Sequence, residues 1–198
     1  TLNVQKYYSE VRKMTHKIWL TLNANMNDLE KLCAINKQLY SVEGFAGNFM
    51  DPHKPDNNFL SMVLDTKKGN SLSISALYAI LSGELDIPLQ IVNFHGYYAL
   101  RYYSKDTHFY IDAYNKGIFF TPDQVAQFLR KLKVEDDVRT YKPLSNIYVV
   151  LDFIRVLIET YRQNDEEARA QRFEQLLNDI EISLPGGGPI IGDDDALL

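Results

Sequence analysis

The chain has 198 residues, of which 45% are hydrophobic and 24% are charged, proportions typical of a globular protein rather than of a disordered or fibrous one. That length suits one domain with an appendage. The formal net charge of −5 argues against a nucleic-acid partner or a polybasic membrane contact, because both need clustered Lys and Arg.

The single cysteine, Cys33, excludes an intramolecular disulfide framework and a Cys-rich zinc site. No two histidines have metal-ligand spacing, so we expect no metal site and no cofactor. Asp152 and Arg155 interrupt the most apolar stretch, residues 147–161, so we expect no transmembrane helix. A reducing, cytoplasmic compartment is favoured. The sequence leaves open both the oligomeric state and an export signal removed before Thr1.

The first 50 residues are predicted to be helical. The apolar face of a first helix is predicted to contain Val4, Tyr7, Tyr8, Val11, Ile18, Trp19 and Leu22. A second helix is predicted to start at Asn27, with Glu30 as its capping partner. Its apolar stripe is predicted to contain Leu29, Leu32, Cys33 and Leu39. On that stripe the cysteine would be an inert, buried thiol.

Residues 51–84 combine a loop with two helices. Prolines and Asx residues predict a loop over residues 51–58, and residues 59–64 predict a short helix. Residues 69–84 predict a longer helix that is apolar on most faces, a pattern typical of a helix at the centre of a domain. Ser71 is expected to be its N-cap.

A period of two over residues 88–120 predicts an antiparallel sheet. Short connections separate strands expected at residues 89–94, 97–103, 109–114 and 118–120, as in a meander. Six tyrosines lie on these strands: Tyr97, Tyr98, Tyr102, Tyr103, Tyr110 and Tyr114. Most are expected to pack in the core or on the sheet surface. An aromatic-lined cleft among them would be a ligand-binding surface.

The C-terminal third is predicted to be helical again. Thr121, followed by Pro122 and Gln124, is a helix-start signal. Residues 144–181 predict a helical hairpin, with Asn164 and Glu167 capping its second helix.

The order of the predicted elements divides the chain into three parts. Residues 1–138 would form an α+β domain that includes the N-terminal helices, and residues 139–182 the hairpin. Residues 183–198, rich in Gly and Asp, would form a flexible tail.

Three stretches carry a family resemblance: residues 58–78, with KKGNSLSISALY, residues 85–94, with LDIPL, and residues 109–117, FYIDAYNKG. In order and spacing they resemble the transglutaminase-like superfamily. The closest similarity is to a bacterial branch in which a transglutaminase-like core precedes tetratricopeptide-type helices. Residues 40–48 and the hairpin resemble that branch too, so the resemblance covers residues 27–181. It implies a papain-like α+β core built around the central helix.

The resemblance also implies a catalytic triad: a cysteine at the start of the central helix, a histidine on a following strand, and an aspartate on the next. The cysteine position falls on Ser71, the histidine position on Tyr97 and the aspartate position on Asp112. Serine needs a general base at neutral pH, and the family's base is absent. The protein is therefore interpreted as a degenerate family member. Its cleft, formed by Ser71, His95, Tyr97 and Asp112, would bind a peptide or partner protein.

An alternative is a hydrolase or acyltransferase in which Ser71 is the nucleophile, His95 the base and Asp112 the orienting group. His95 precedes Tyr97 by two residues, which is about 6.6 Å along an unbroken strand. A bulge at Gly96 would be needed to close that gap. In the non-catalytic interpretation, Asp112 instead bonds backbone amides of the following turn.

The remaining histidines are weaker candidates. His108 and Asp112 would lie about 13 Å apart along one strand, too far for a catalytic pair. His16 and His53 are expected to face solvent. A third hypothesis makes the chain a helical scaffold whose core only supports the hairpin.

Overall fold

The computed structural model describes residues 2–131 and 142–184. Four helices precede the main sheet: α1 (Val4–Trp19), α2 (Asp28–Asn36), α3 (Leu60–Thr66) and α4 (Ser71–Gly83). A π-helical turn, Lys37–Val42, extends α2. Two short strands, β1 (Ala46–Gly47) and β2 (Lys68–Gly69), pair in parallel just before α4.

The main sheet is an antiparallel meander in the order β3-β4-β5-β6. Its strands are β3 (Leu89–Phe94), β4 (Tyr97–Tyr103), β5 (His108–Asp112) and β6 (Ile118–Phe120). The predicted meander is confirmed. The third strand ends at Asp112 rather than at residue 114, because residues 113–117 turn the chain into β6.

Helix α4 packs on one face of this sheet and is central to the core, as its sequence predicts. Most of its side chains are buried, because α1, α2 and α3 as well as the sheet contact it. From β4, alternate residues point to this core: Tyr98, Leu100 and Tyr102. The α+β architecture is thus a central helix enclosed between other helices and an antiparallel sheet.

The opposite face of the sheet is covered by α5 (Pro122–Lys131). Val125 and Leu129 of α5 pack there in a second, smaller cluster with Val92, Phe94, Ala99 and Tyr110. Tyr97 packs against this cluster and not against the α4 core. Tyr97 and Tyr98, which are adjacent on β4, therefore point to opposite faces of the sheet and have different surroundings.

The C-terminal helix pair consists of α6 (Asn146–Gln163) and α7 (Glu167–Ser183), which pack on each other. Their shared cluster contains Leu157, Ile158, Tyr161 and Ala170, and the ring of Phe173 stacks on Tyr161. Helix α6 also packs on the main core through Val149, Phe153 and Val156. None of the helices in the described ranges is long and apolar enough to cross a membrane.

Several predictions about helix faces and caps were wrong. Cys33 is exposed, because α2 turns Leu32 and Ile35 inward and leaves Leu29 and Cys33 on another side. The N-cap of α4 is Asn70, not Ser71: Asn70 Oδ1 accepts from the Ser73 amide at 2.8 Å.

Further corrections concern the two ends of the described chain. On α1 the buried residues are Met14 and Ile18, while Val4, Tyr8 and Trp19 are exposed and Leu22 lies beyond the helix. Helix α7 begins after Glu166, and Asn164 instead closes α6 by donating its side-chain amide to Thr160 O. Ser183 belongs to α7. Leu184 is the C-cap of that helix. Residues 185–198 of the predicted tail and the predicted boundary at residues 138–139 lie outside the described residues.

Candidate functional site

Ser71 is the first residue of α4 and lies beside the start of β4. The capping box of Asn70 and Ser73 fixes the helix start immediately before it. Its hydroxyl oxygen accepts a hydrogen bond from the backbone N–H of Tyr98 at 3.3 Å. The first turn of the central helix is therefore attached to the strand that carries Tyr97.

Tyr97, Asp112 and Asn115 form a closed polar cluster at the end of the sheet. The hydroxyl of Tyr97 donates to Asp112 Oδ1 at 2.7 Å. The Asn115 backbone N–H donates to the same oxygen at 3.1 Å, which is the turn bond expected of Asp112. The Asn115 side-chain amide donates to Asp112 Oδ2 at 2.6 Å and to the Tyr97 oxygen at 3.1 Å. Burial and the hydrogen bond to Asp112 raise the pKa of the Tyr97 phenol well above its ordinary value.

Four aromatic rings run past this cluster in a row, here called the aromatic row: Phe49, Tyr114, Tyr97 and Phe128. The ring centroids are 4.5 Å apart for Phe49 and Tyr114, 6.3 Å for Tyr114 and Tyr97, and 6.4 Å for Tyr97 and Phe128. The absence of a side chain at Gly47 leaves space for the Tyr114 ring of this row, because a Cβ at Gly47 would lie 2.5 Å from that ring. The two ends of the row are exposed, Phe49 by 60% and Phe128 by 43%.

A cavity of about 410 Å³, here called the Tyr97 cavity, opens between this end of the sheet and α5. Apolar and aromatic side chains form most of its wall, and the polar cluster forms the rest. Its lining residues are Phe94, Tyr97, Asp112, Asn115, Ile118, Phe120, Gln124, Val125 and Phe128.

Ser71 lines a different cavity, of about 350 Å³, between the start of α4 and α6. Gly96 and Tyr98 also line it, together with Arg155 and Glu159. The structure therefore brings Tyr97 and Asp112 together in one cavity and places Ser71 in the lining of another. The two cavities are connected through the backbone of β4, because Ser71 is hydrogen-bonded to the Tyr98 amide and Tyr97 is the preceding residue.

His95 and Gly96 form the two-residue turn between β3 and β4. Their φ angles are 52° and 89°, both left-handed, as a type I′ hairpin turn requires. Phe94 pairs directly with Tyr97 across this turn, so there is no bulge of the kind that would move His95 into line with Tyr97. The His95 side chain is exposed, and among the described residues it lines neither of these two cavities.

The other histidines lie away from the Tyr97 cluster. His108 is the first residue of β5 and Asp112 the last, and the His108 ring contacts Tyr103 and Tyr110. Burial lowers the pKa of His108. His16 and His53 are exposed, as predicted.

A second buried polar cluster escaped the sequence reasoning. The Tyr98 hydroxyl donates to Asp152 Oδ2 of α6 at 2.9 Å, and burial together with that carboxylate raises the pKa of Tyr98. Arg155 donates to Asp152 Oδ1 at 3.0 Å and to Glu181 of α7 at 2.7 Å. A sequence signal for this cluster exists, because Asp152 and Arg155 are charged residues within an otherwise apolar helix. Buried charged side chains occur in proteins only when they are paired or hydrogen-bonded.

Comparison with known proteins adds to this geometry. The sequence model of one family, described as the transglutaminase-like superfamily, matches residues 5–155. This span contains both polar clusters, apart from Glu181, and most of the residues that line the two cavities. The match ends within α6. The tetratricopeptide-type character of the C-terminal helix pair therefore stays a prediction.

Individual relatives are more distant. A "UPF0162 protein" of Xylella fastidiosa (strain 9a5c) is 25% identical over 148 residues, which cover 72% of this chain and 53% of the relative. The mouse "F-box only protein 21" is 35% identical over 94 residues, or 43% of this chain and 15% of the relative. The chain thus spans about half the length of the bacterial relative. No solved structure matches.

Proposed function

This chain belongs to the transglutaminase-like superfamily, and we propose that it is a catalytically degenerate member that binds a peptide or a partner protein. The bond from Tyr97 to Asp112 carries the proposal. The resemblance implies a histidine where Tyr97 stands, and a base at that place must accept a proton near neutral pH. A phenol with a raised pKa keeps its proton there, so it cannot act as that base.

The hydrogen bonds of Asp112 also disfavour the alternative in which Ser71 is a nucleophile and His95 its base. In that mechanism Asp112 must accept a bond from the imidazole to orient it. A carboxylate offers about four lone-pair sites. Tyr97 and the two donors of Asn115 already occupy three of them on Asp112. His95, the group that would need the remaining site, lies in the exposed hairpin turn and does not line the cavity that Asp112 lines.

The aromatic row supports a binding role. Exposed aromatic side chains are costly on a surface unless something covers them, and Tyr and Phe are enriched where proteins bind one another. Phe49, Ile118 and Phe128 are each exposed by more than a third beside the polar cluster. Apolar walls with a few convergent polar groups are also the usual composition of a ligand pocket.

The first test addresses catalysis. The full chain is incubated with activated ester, amide and glutamine-containing peptide substrates, and each rate is compared with that of Ser71→Ala. We expect no turnover that depends on Ser71. A rate that disappears in both Ser71→Ala and His95→Ala would establish the hydrolase and overturn the proposal.

The second test addresses binding. A random peptide library is selected against the wild-type chain, and selected peptides are measured against Phe128→Ala. We expect the affinity to fall by about tenfold or more, as for an aromatic hot-spot residue. The matched control is Leu176→Ala on α7, a side chain exposed by 45% outside the aromatic row, which should bind as wild type does. Equal affinities for the two variants would contradict a site at the aromatic row.

A further inference from the structure

The described residues that line the Tyr97 cavity carry an unbalanced charge. Among the described residues that line it, Asp112 is the only ionisable group other than the Tyr97 phenol, and no basic side chain faces it. The hydrogen-bond donors that Asp112 receives, from Tyr97 and Asn115, are all neutral. The Asp112 carboxylate, which lies beside aromatic walls, thus has neutral hydrogen-bond donors but no cationic partner among the described residues of the lining.

The hydrogen-bonding capacity left in the cluster is that of an acceptor. The Tyr97 proton is directed to Asp112, and both side-chain N–H groups of Asn115 are used within the cluster. About one lone-pair site remains on Asp112 Oδ2. Asn115 Oδ1 has no hydrogen-bond partner among the described residues, and Gln124 Oε1 already accepts from the Thr121 amide. Gln124 Nε2 can still donate elsewhere in the lining, but a ligand group that meets Asp112 or Asn115 must itself be a donor.

The walls of the cavity favour a positive charge on that donor. Tyr97, Phe120 and Phe128 present rings, and the face of an aromatic ring attracts a cation within about 6 Å of its centroid. The net charge of the chain, −5, adds a weaker long-range attraction for basic partners.

We propose that the Tyr97 cavity takes the guanidinium group of an arginine side chain from a peptide partner, an inference that rests on the proposed binding function. The guanidinium is planar and weakly hydrated, so it stacks on the rings while one N–H reaches Asp112 Oδ2. A compact, strongly hydrated ammonium gains less from the same walls. Arginine in the partner sequence is then the specificity determinant of the site.

The experiment uses two probes of nearly the same shape, in which the charged guanidinium of arginine is replaced by the neutral ureido group of citrulline. The peptides Ac-Gly-Arg-Gly-NH₂ and Ac-Gly-citrulline-Gly-NH₂ are titrated into the ¹⁵N-labelled chain, and amide shifts are followed by NMR. We expect the arginine peptide to give saturable shifts at Tyr97, Asn115 and Phe128. The neutral citrulline isostere should bind about tenfold more weakly, a ratio that corresponds to one cation–aromatic contact plus one charge-assisted hydrogen bond.

Variants locate the interaction. Asp112→Asn should weaken the arginine peptide about tenfold and leave the citrulline peptide nearly unchanged. Asp123→Asn is the matched control: it removes the same charge from an exposed position in the first turn of α5 without lining the cavity. Phe128→Ala is the second variant, to be used if Asp112→Asn disturbs folding, because its side chain is already 43% exposed.

The outcomes separate this inference from the proposed function. The peptide Ac-Gly-Lys-Gly-NH₂ is titrated as a third probe. Equal binding of the arginine and citrulline peptides, tighter binding of the lysine peptide than of the arginine peptide, or no shifts up to on the order of 10 mM peptide would overturn the arginine site. If the library then yields neutral peptides that need Phe128, the binding function stands and only this inference fails. Turnover that depends on Ser71 would instead remove the proposed function itself.

Discussion

Among single residues, Tyr97 and Asp112 are suited to a structural role, because the hydrogen bond between them fixes the position of both side chains. An imidazole changes charge near neutral pH, whereas a phenol next to a carboxylate keeps its proton. Burial and Asp112 push the pKa of Tyr97 further from neutrality. Tyr97 therefore stays protonated under physiological conditions, which favours the proposed binding role over proton transfer.

Replacing Tyr97 by Phe should show what that hydroxyl contributes. The variant leaves Asp112 Oδ1 with the Asn115 backbone amide alone and removes an acceptor from Asn115 Nδ2. We expect the free energy of unfolding to fall by about 1–3 kcal/mol, measured by urea denaturation. Tyr103→Phe on the same strand, 59% exposed, is the control and should change it by less than about 0.5 kcal/mol. Equal stabilities of the two variants would contradict the hydrogen-bonded role of Tyr97.

At the scale of elements, the sequence predicts best what depends on neighbours along the chain. The capping boxes of Asn27 with Glu30 and of Thr121 with Gln124 are both confirmed. Each needs only residues three apart, so no knowledge of the fold is required. The central position of α4 is equally legible, because a helix that is apolar all round has to be buried.

Predictions that depend on which elements meet were less successful. The side of α2 that bears Cys33 is exposed because Leu32 and Ile35, on the other side, pack into the core that contains α4, and this depends on tertiary packing. Tyr97 and Asp112, which are hydrogen-bonded in the structure, occupy two positions that the family resemblance identifies as catalytic, so the resemblance leads us to expect them to lie close together. The bond between Tyr98 and Asp152 crosses 54 residues between elements with no shared pattern, so sequence spacing gives no access to it.

That second bond yields a prediction about α6. Asp152→Ala would leave the buried Tyr98 hydroxyl without its acceptor and would remove one of the two acceptors of Asn93 and of Arg155. We expect a loss of about 2–3 kcal/mol, less than for a fully buried ion pair because the Arg155 side chain is 36% exposed. Hydrogen exchange should accelerate most in α6 and α7.

The control for Asp152→Ala is Glu159→Ala, an exposed carboxylate on the same helix. It should leave exchange in α7 unchanged. Equal exchange rates in the two variants would mean that the Asp152 cluster does not attach the helix pair to the sheet.

At the scale of the whole molecule, buried tyrosines make stability depend on alkaline pH. Burial is the largest cause of the raised pKa of Tyr40, Tyr97 and Tyr98. Above the ordinary tyrosine pKa of 10.0 the unfolded chain loses these protons while the folded chain keeps them. The unfolded state then binds fewer protons, so stability must fall as pH rises.

We therefore expect full stability from these tyrosines below about pH 10 and a progressive loss above it. Urea midpoints measured at intervals from about pH 9 to about pH 11 would give the slope. Tyr97→Phe should flatten the slope, since it removes one of the protons that distinguish the two states. A midpoint that does not change over this range would contradict the burial of these phenols.

The predicted division near residue 138 implies that the C-terminal helix pair, α6 and α7, folds as a separate unit. Several bonds cross that division: the Leu144 amide donates to Ile91 O at 2.8 Å, and Asn58 donates to Thr160. Val149, Phe153 and Val156 of α6 complete the main core. Because these contacts would be lost together, we predict one cooperative unfolding transition for the whole chain.

Circular dichroism and hydrogen exchange during urea denaturation test this prediction. Signals from α7 and from β4 should give coincident midpoints, since neither region can lose its packing while the other remains intact. Two separated midpoints, with α6 and α7 unfolding first, would show that residues 142–184 are an attached module with its own stability. In that case the proposed binding surface at the Tyr97 cavity would belong to a core that remains folded without α6 and α7.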